Sequence, residues 1–355
     1  MKIGIVGLPN AGKSTLFNAL TRGGAETAGY PFTTVEPNVA IVPVPDERLE
    51  PVAAAAGATP LVPETVEFHD IAGLVRGAST GEGLGNRFLA EIRETDATCH
   101  LVRVHTDDSV PHPDGRVDPV ADAEVIEAEL LLADLEQAER RLERVRKQAG
   151  SGAKEPAAER DWLERVVEAL GRGEPARTVP PPDADPDAAR NLQALTAKPM
   201  LYVANVDEGD TDPPAALVDY AGSSACIAVS ARIESELAEL PPAEAAEMRA
   251  DLGLAESGLE RLVRSAYALL GLVTFFTAHP GSEARARALR DGLTAWDAAG
   301  RVHGDIQAGF VRAEVIGWRE LVDAGGYAEA RERGVLRTEG RDYVVRDGDV
   351  ITIRH

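Results

Sequence analysis

Gly7-Leu8-Pro9-Asn10-Ala11-Gly12-Lys13-Ser14-Thr15 is the stretch whose reading decides the fold. It fits the phosphate-loop spacing G-x-x-x-x-G-K-[ST]. The context agrees: Ile3-Gly4-Ile5-Val6 reads as a short buried strand, and Thr15-Leu16-Phe17-Asn18-Ala19-Leu20 continues as a helix. Gly7 and Gly12 let the backbone curl, so that N–H groups from Asn10 and Ala11 onward turn toward phosphate oxygens. The helix start adds free N–H groups and partial positive charge. Lys13 reaches the β- and γ-phosphates, and the Ser14 hydroxyl is placed to ligate Mg²⁺, with Thr15 beside it. An incidental glycine turn with a stray lysine fits the flanking strand and helix less well.

Working outward, composition narrows the function classes. The chain of 355 residues is long enough for two or three domains. A net charge of −22 argues against general stickiness to nucleic acid or membrane, so any RNA contact must be local. The segment 272–355 holds twelve arginines and no lysine against thirteen carboxylates, a net of −1, which leaves −21 on 1–271. That last segment is therefore the part least repelled by a polyanion. Cys99 and Cys226 both sit in apolar runs with no disulfide or zinc spacing. No leader or membrane-spanning run is read, so the expected location is the cytoplasm.

The loop Gly29–Asn38 carries Thr33 and Thr34, hydroxyls that can reach Mg²⁺ when a γ-phosphate holds such a loop closed. Thr65–Asp70 reads as a strand ending in Asp70, which would hold the metal through a water; the Gly73 N–H would face the γ-phosphate. His69 is expected to pack beside the sheet, and His100 to be a satisfied structural histidine in the strand 97–104. From 120 to 197 the apolar spacing turns helical, with two long helices forming an antiparallel hairpin. Its basic run Arg140-Arg141 to Arg146-Lys147 is better read as a solvated face paired with glutamates than as a nucleic-acid contact. Pro199–Glu208 returns to a buried strand that ends in Asn205-Val206-Asp207-Glu208, the base-reading position. The next strand closes on Ser230-Ala231-Arg232, behind the base. Beyond 272, Val273–Phe276, Phe310–Ile316, Tyr343–Val345 and Val350–Ile353 read as short strands.

Together Gly7–Thr15, Tyr30–Asn38 and Asp70–Ala78 resemble the Obg-related P-loop proteins. Gly81–Leu89 and the Asn205–Glu208 departure narrow the resemblance to the YchF branch, the Obg-like ATPases. It covers essentially the whole chain. The resemblance implies an α/β fold: a P-loop NTPase domain with a mostly parallel sheet (1–119 and 198–271), an inserted helical hairpin (120–197) and a C-terminal ubiquitin-like TGS domain (272–355). It also implies an ATPase that binds the ribosome and its large subunit, with rRNA met through the TGS domain. His303–Phe310 is similar to the family's His-Thr-Asp-x-x-x-Gly-Phe, with Gly304 in place of the threonine. Asn10 stands where related potassium-activated proteins help hold K⁺ against the phosphates. A translation-type GTPase, a nucleotide-stabilised scaffold and a P-loop kinase are the competing readings; the Asp70–Gly73 turn disfavours the last.

Two expectations concern chemistry. Guanine-reading motifs end in an aspartate that accepts two hydrogen bonds from the base; here Glu208 is one methylene longer, and Val206 replaces the usual lysine. Each guanine donor left unpaired costs about 1–3 kcal/mol, so ATP is expected over GTP by roughly tenfold or more. The residue that would orient water is Leu74, which has neither donor nor acceptor. His112, on a polar loop after a strand of the nucleotide domain, is the internal candidate to replace it, and its position resembles a loop histidine of the YchF family. The alternative is an ordinary surface histidine.

Overall fold

The computed structural model describes residues 1–27, 38–71, 84–107, 109–149 and 154–355. Two units emerge: 1–42 with 67–266, and 43–66 with 267–355.

In the first unit, runs of apolar residues buried on both faces build a parallel sheet, as such runs require helices on either side. Its strands are β1 (Lys2–Val6), β2 (Val39–Pro43), β4 (Thr65–Asp70), β5 (Ala97–Arg103), β6 (Met200–Asn205) and β7 (Ala225–Val229). A two-residue β3 (Leu61–Val62) lies between β2 and β4 in the chain but pairs elsewhere. Among the described residues the order is β2-β4-β1-β5-β6-β7, which puts the proline-ended β2 at an edge. β1 pairs in parallel with both β4 and β5, and β5 with β6 and β6 with β7 continue the sense. The chain reverses direction of travel about β1, and the crevice at the carboxyl ends of such strands is where ligands bind.

Helix α1 (Lys13–Thr27) follows β1 directly. Between α1 and β5 lie α2 (Leu49–Ala56) and α3 (Leu84–Arg93). The long α4 (Pro119–Ala149) has two jobs, read from its apolar spacing. Ala123, Ile126, Leu130 and Ala133 pack into the sheet's core with Val102, Tyr202 and Leu217. Further along, Ala138, Leu142 and Val145 pack with Trp162, Leu163 and Val166 of α5 (Lys154–Gly171). The expected hairpin is thus rooted in the nucleotide-type fold by its first half. Arg140, Arg141 and Arg146 pair with Glu136, Glu159 and Glu164, so the basic run is largely answered by its own helices.

The second unit corrects the expected 1–119 segment. Residues 43–66 leave the first fold and join the C-terminal one. Leu49, Val52, Ala53 and Ala56 of α2 pack with Phe276, Ala284, Ala286 and Leu321. Its strands are β8 (Leu272–Ala278), β9 (Ala284–Arg290), β10 (Arg312–Gly317), β11 (Arg337–Glu339) and β12 (Asp349–Arg354). Among the described residues they run β11-β10-β12-β8-β9-β3. β8 and β9 form an antiparallel hairpin, β12 lies parallel to β8, and β3 adds in parallel to β9. Tyr343-Val344-Val345 is not a strand; Val344 makes one bridge to Thr294. Arg346–Asp349 turns tightly, closed by Asp349 N–H on the Arg346 carbonyl at 3.1 Å with Gly348 at φ 84°.

Candidate functional site

The loop after β1 takes its shape from two left-handed residues, Asn10 at φ 64° and Gly12 at φ 96°. Gly7 has no room for a side chain, since a Cβ there would strike the Leu101 carbonyl oxygen. At Gly12 a Cβ would strike the Asn205 amide nitrogen. Gly7 is therefore required by close approach, and Gly12 by close approach and by its positive φ. Lys13 lies across the loop, its Nζ donating to the Gly7 carbonyl at 3.2 Å. Burial pulls the Lys13 ammonium below its usual pKa, while the Asp70 carboxylate opposes that shift. Asp70 ends β4 opposite Ile5; burial raises its carboxyl, and Lys13 works against that. Ser14 and Thr15 open α1 with exposed side chains.

Asn205 braces the site. Its Nδ2 donates to the Ala11 carbonyl at 2.9 Å, and its Oδ1 accepts from the Ala231 N–H at 3.0 Å. One amide thus ties the phosphate loop to the turn after β7, with all three residues buried. A second Nδ2 hydrogen remains for a ligand. Val206 is buried in the core cluster, and Glu208 is exposed at the rim. A cleft of about 480 Å³ brings together Asn10, Gly12 to Thr15, Asn205, Val206, Glu208, Ser230 and Ala231. Ala11 lies beneath it through the Asn205 contact. Thr34 and Gly73, with Leu74, lie outside the described residues.

His112 is not turned toward this cleft. Its Nδ1 accepts from the Asp114 N–H at 3.1 Å, which puts the proton on Nε2; that N–H donates to Asp122 of α4 at 2.8 Å. The ring is only 5% exposed. With both nitrogens taken, it offers no acceptor to a water in this conformation. His69 pairs with Glu67 at 3.4 Å beside the sheet. His100 is structural, as expected, but not satisfied: its Nδ1 has no hydrogen-bond partner, and burial pushes its pKa down to about 3.

Several contributors escape sequence reading. Arg103 is buried at the end of β5. Its guanidinium donates to the carbonyls of His105 at 3.3 Å, Asp107 at 2.8 Å and Val110 at 2.8 Å. Asn10 Nδ2 donates to the Pro111 carbonyl at 2.9 Å. The loop before His112 is thus tied to the phosphate loop, and His105, Asp107 and Val110 line the cleft. The available signal was a lone arginine closing an otherwise apolar strand. Asp207 Oδ2 accepts from both Thr106 N–H and Oγ1 at 3.0 Å, which joins the ends of β5 and β6.

The donor set suits a hard cation. A hydroxyl at Ser14 and a carboxylate at Asp70 offer oxygen, and no group of three or more His, Cys, Asp or Glu able to hold a metal occurs among the described residues. Mg²⁺ fits such a sparse set because it keeps waters and takes its remaining ligands from phosphates. No helix among the described residues is long and apolar enough to cross a membrane.

Known proteins match along the whole length. A family model described as "50S ribosome-binding GTPase" matches residues 2–141. The YchF-GTPase_C model, described as "Protein of unknown function (DUF933)", matches 272–355. "Ribosome-binding ATPase YchF" of Bacillus subtilis is 47% identical, over 99% of this chain and 98% of its own. The protein of the same name from Escherichia coli O157:H7 is 45% identical over the same shares. The solved YchF GTPase of Schizosaccharomyces pombe superposes with a TM-score of 0.88 at 33% identity, covering 100% of this chain and 97% of that one.

Proposed function

The chain belongs to the YchF family, and from that premise we propose that it is a ribosome-binding, Mg²⁺-dependent ATPase whose bound nucleotide governs its hold on the large subunit. The observation that carries the ATP assignment is the base side of the cleft. Asn205 is buried and committed to the brace with one hydrogen left for a purine, while Glu208 stands at the rim in place of the shorter aspartate that grips guanine. Guanine's two donors would meet a misplaced carboxylate there; adenine asks nothing of it.

Phosphate binding falls to the loop 10–15. Its backbone N–H groups cradle the α- and β-phosphates, and the Lys13 ammonium leaves the Gly7 carbonyl for the β- and γ-oxygens. Ser14 and Thr34 would hold Mg²⁺, with Asp70 behind them through a water, and the metal would supply charge neutralisation at the β- and γ-oxygens. The Gly73 N–H would be the donor to the γ-phosphate. Leu74 cannot orient the attacking water, so that task passes to His112 once its ring leaves Asp122, and the tether through Asn10 and Pro111 makes the loop responsive to the phosphate loop. The Oδ1 of Asn10 is left to face K⁺. Ribosome contact runs through 272–355, the part least repelled by RNA.

Calorimetry in Mg²⁺ buffer tests the nucleotide assignment: ATP should bind roughly tenfold or more tighter than GTP. Equal or tighter GTP binding would return the chain to the GTPase reading. Turnover with added large subunits tests the switch, since stimulation supports it and binding without change in rate supports a scaffold.

A further inference from the structure

The strand β9 alternates in a way that sequence patterning undervalues. Ala284 and Ala286 are buried against the α2 side of the sheet, and Ala288, also buried, shares their face by alternation. Arg285 and Arg287 therefore share the opposite face, because successive side chains alternate. Thr277 of β8 pairs with Arg285 in register and lies on that same face. Arg301 reaches in from the end of the helix Ala295–Val302, its Nε donating to the Ala288 carbonyl at 3.0 Å. Arg287 donates to Thr277 Oγ1 at 3.4 Å and to the Arg301 carbonyl at 3.0 Å. Three guanidinium groups thus converge within one unit of the fold.

Their carboxylates do not balance them. Arg285 is gripped by Glu283 at 2.7 Å and 3.1 Å. Arg301 has Glu64 only at 4.0 Å, and that carboxylate is also held by the Ala288 N–H. Arg287 has no ion-pair partner among the described residues. Burial, and then the neighbouring Arg285 charge, pull its pKa below the usual arginine value; the Glu283 and Glu64 carboxylates oppose that shift in part and the Arg301 charge adds to it.

We propose that Arg285, Arg287 and Arg301 form a receptor for a backbone phosphate of RNA. Arginine forks match phosphate oxygens in pairs, and the Thr277 hydroxyl adds a donor at the same face. Arg285 and Arg301 keep a third and a half of their side-chain surface exposed, an open face suited to a polymer. The receptor rests on the ribosome-binding reading and names where that contact is made.

The test uses the full chain, purified large ribosomal subunits and a short RNA hairpin, each titrated across a range of KCl. The double variant Arg287→Gln, Arg301→Gln should lose at least about tenfold in affinity for both, with a salt slope shallower by about 0.7–0.9, because one phosphate neutralisation is gone. Arg287→Lys in the native background keeps the charge and should keep most of the slope while losing part of the affinity. Far-UV melting curves establish that each variant is folded. Unchanged affinity and slope in a folded double variant would overturn the receptor while leaving ribosome binding intact. A native chain that ignores subunits but binds the hairpin through these arginines would overturn the ribosome reading and keep the receptor. Displacement of the hairpin by sub-millimolar inorganic phosphate would make it a small-anion site and overturn the RNA assignment.

Discussion

Replacing Asn205 with alanine strips the brace between the phosphate loop and the Ser230-Ala231 turn in one step. The Ala11 carbonyl and the Ala231 N–H each lose a partner, and both residues are almost fully buried. Leaving a buried group unpaired costs about 1–3 kcal/mol, so the pair amounts to about 2–6 kcal/mol, a large part of the 5–15 kcal/mol typical of a whole domain. Urea unfolding followed by circular dichroism should show this loss in the first transition. Native-state hydrogen exchange should show the Ala231 amide losing at least about tenfold in protection, which corresponds to about 1.4 kcal/mol. Because the brace shapes the phosphate loop, ATP, GTP and inorganic tripolyphosphate should all weaken together. Asn205→Asp sharpens the test: it keeps an acceptor for Ala231 but turns an oxygen toward the Ala11 carbonyl, so it should recover little. Unchanged stability and Ala231 protection, with tripolyphosphate bound normally and only purine nucleotides weakened, would refute the brace and leave Asn205 as a base reader alone.

His112→Ala should leave ATP affinity nearly intact and slow single-turnover hydrolysis by about 10²-fold or more; a normal rate would confine the ring to its Asp122 contact. His100 titrates near 3 in the folded chain against about 6.5 unfolded, so the unfolded state binds the extra proton between those values. Stability should therefore fall by about 1.4 kcal/mol per pH unit as pH drops from 6.5 toward 3, and His100→Phe should flatten that slope in acid denaturation curves. Hydrolysis should run faster in potassium than in sodium, and Asn10→Ala should abolish the difference; identical native rates in the two salts would remove the monovalent ion.

The legible parts were those fixed within a few residues of one another. The phosphate loop carries its geometry in its own glycines, and the strands β1, β4, β5 and β6 follow from apolar runs broken by turns. β9 escaped because one face is alanine and the other arginine until the buried Leu289, a pattern with little apolar contrast. The transfer of 43–66 escaped because its partners lie more than two hundred residues away, and β3, at two residues, has no periodicity to read. His112 was found as a residue, but its orientation depends on Asp122, a turn into the next helix. Glu208 reads from the motif as the residue in the base-reading aspartate's place, and its exposure on the cleft is visible only in the fold, as the double duty of Asn205 needs the Ala11 and Ala231 backbone to be in place.

The crossing of 43–66 makes the molecule inseparable in a way its linear layout conceals. The chain passes between the two units three times, at 42–43, 66–67 and 266–267, so no single cut releases either one. A truncation before β8 would strand α2, exposing Leu49, Val52, Ala53 and Ala56 to water beside an orphaned β3. Such a fragment would aggregate or lose its shape for reasons unrelated to RNA. Deletion mapping, the usual shortcut to a binding region, would report failure wherever the knife fell. Point substitutions in the intact chain are the instrument this topology permits.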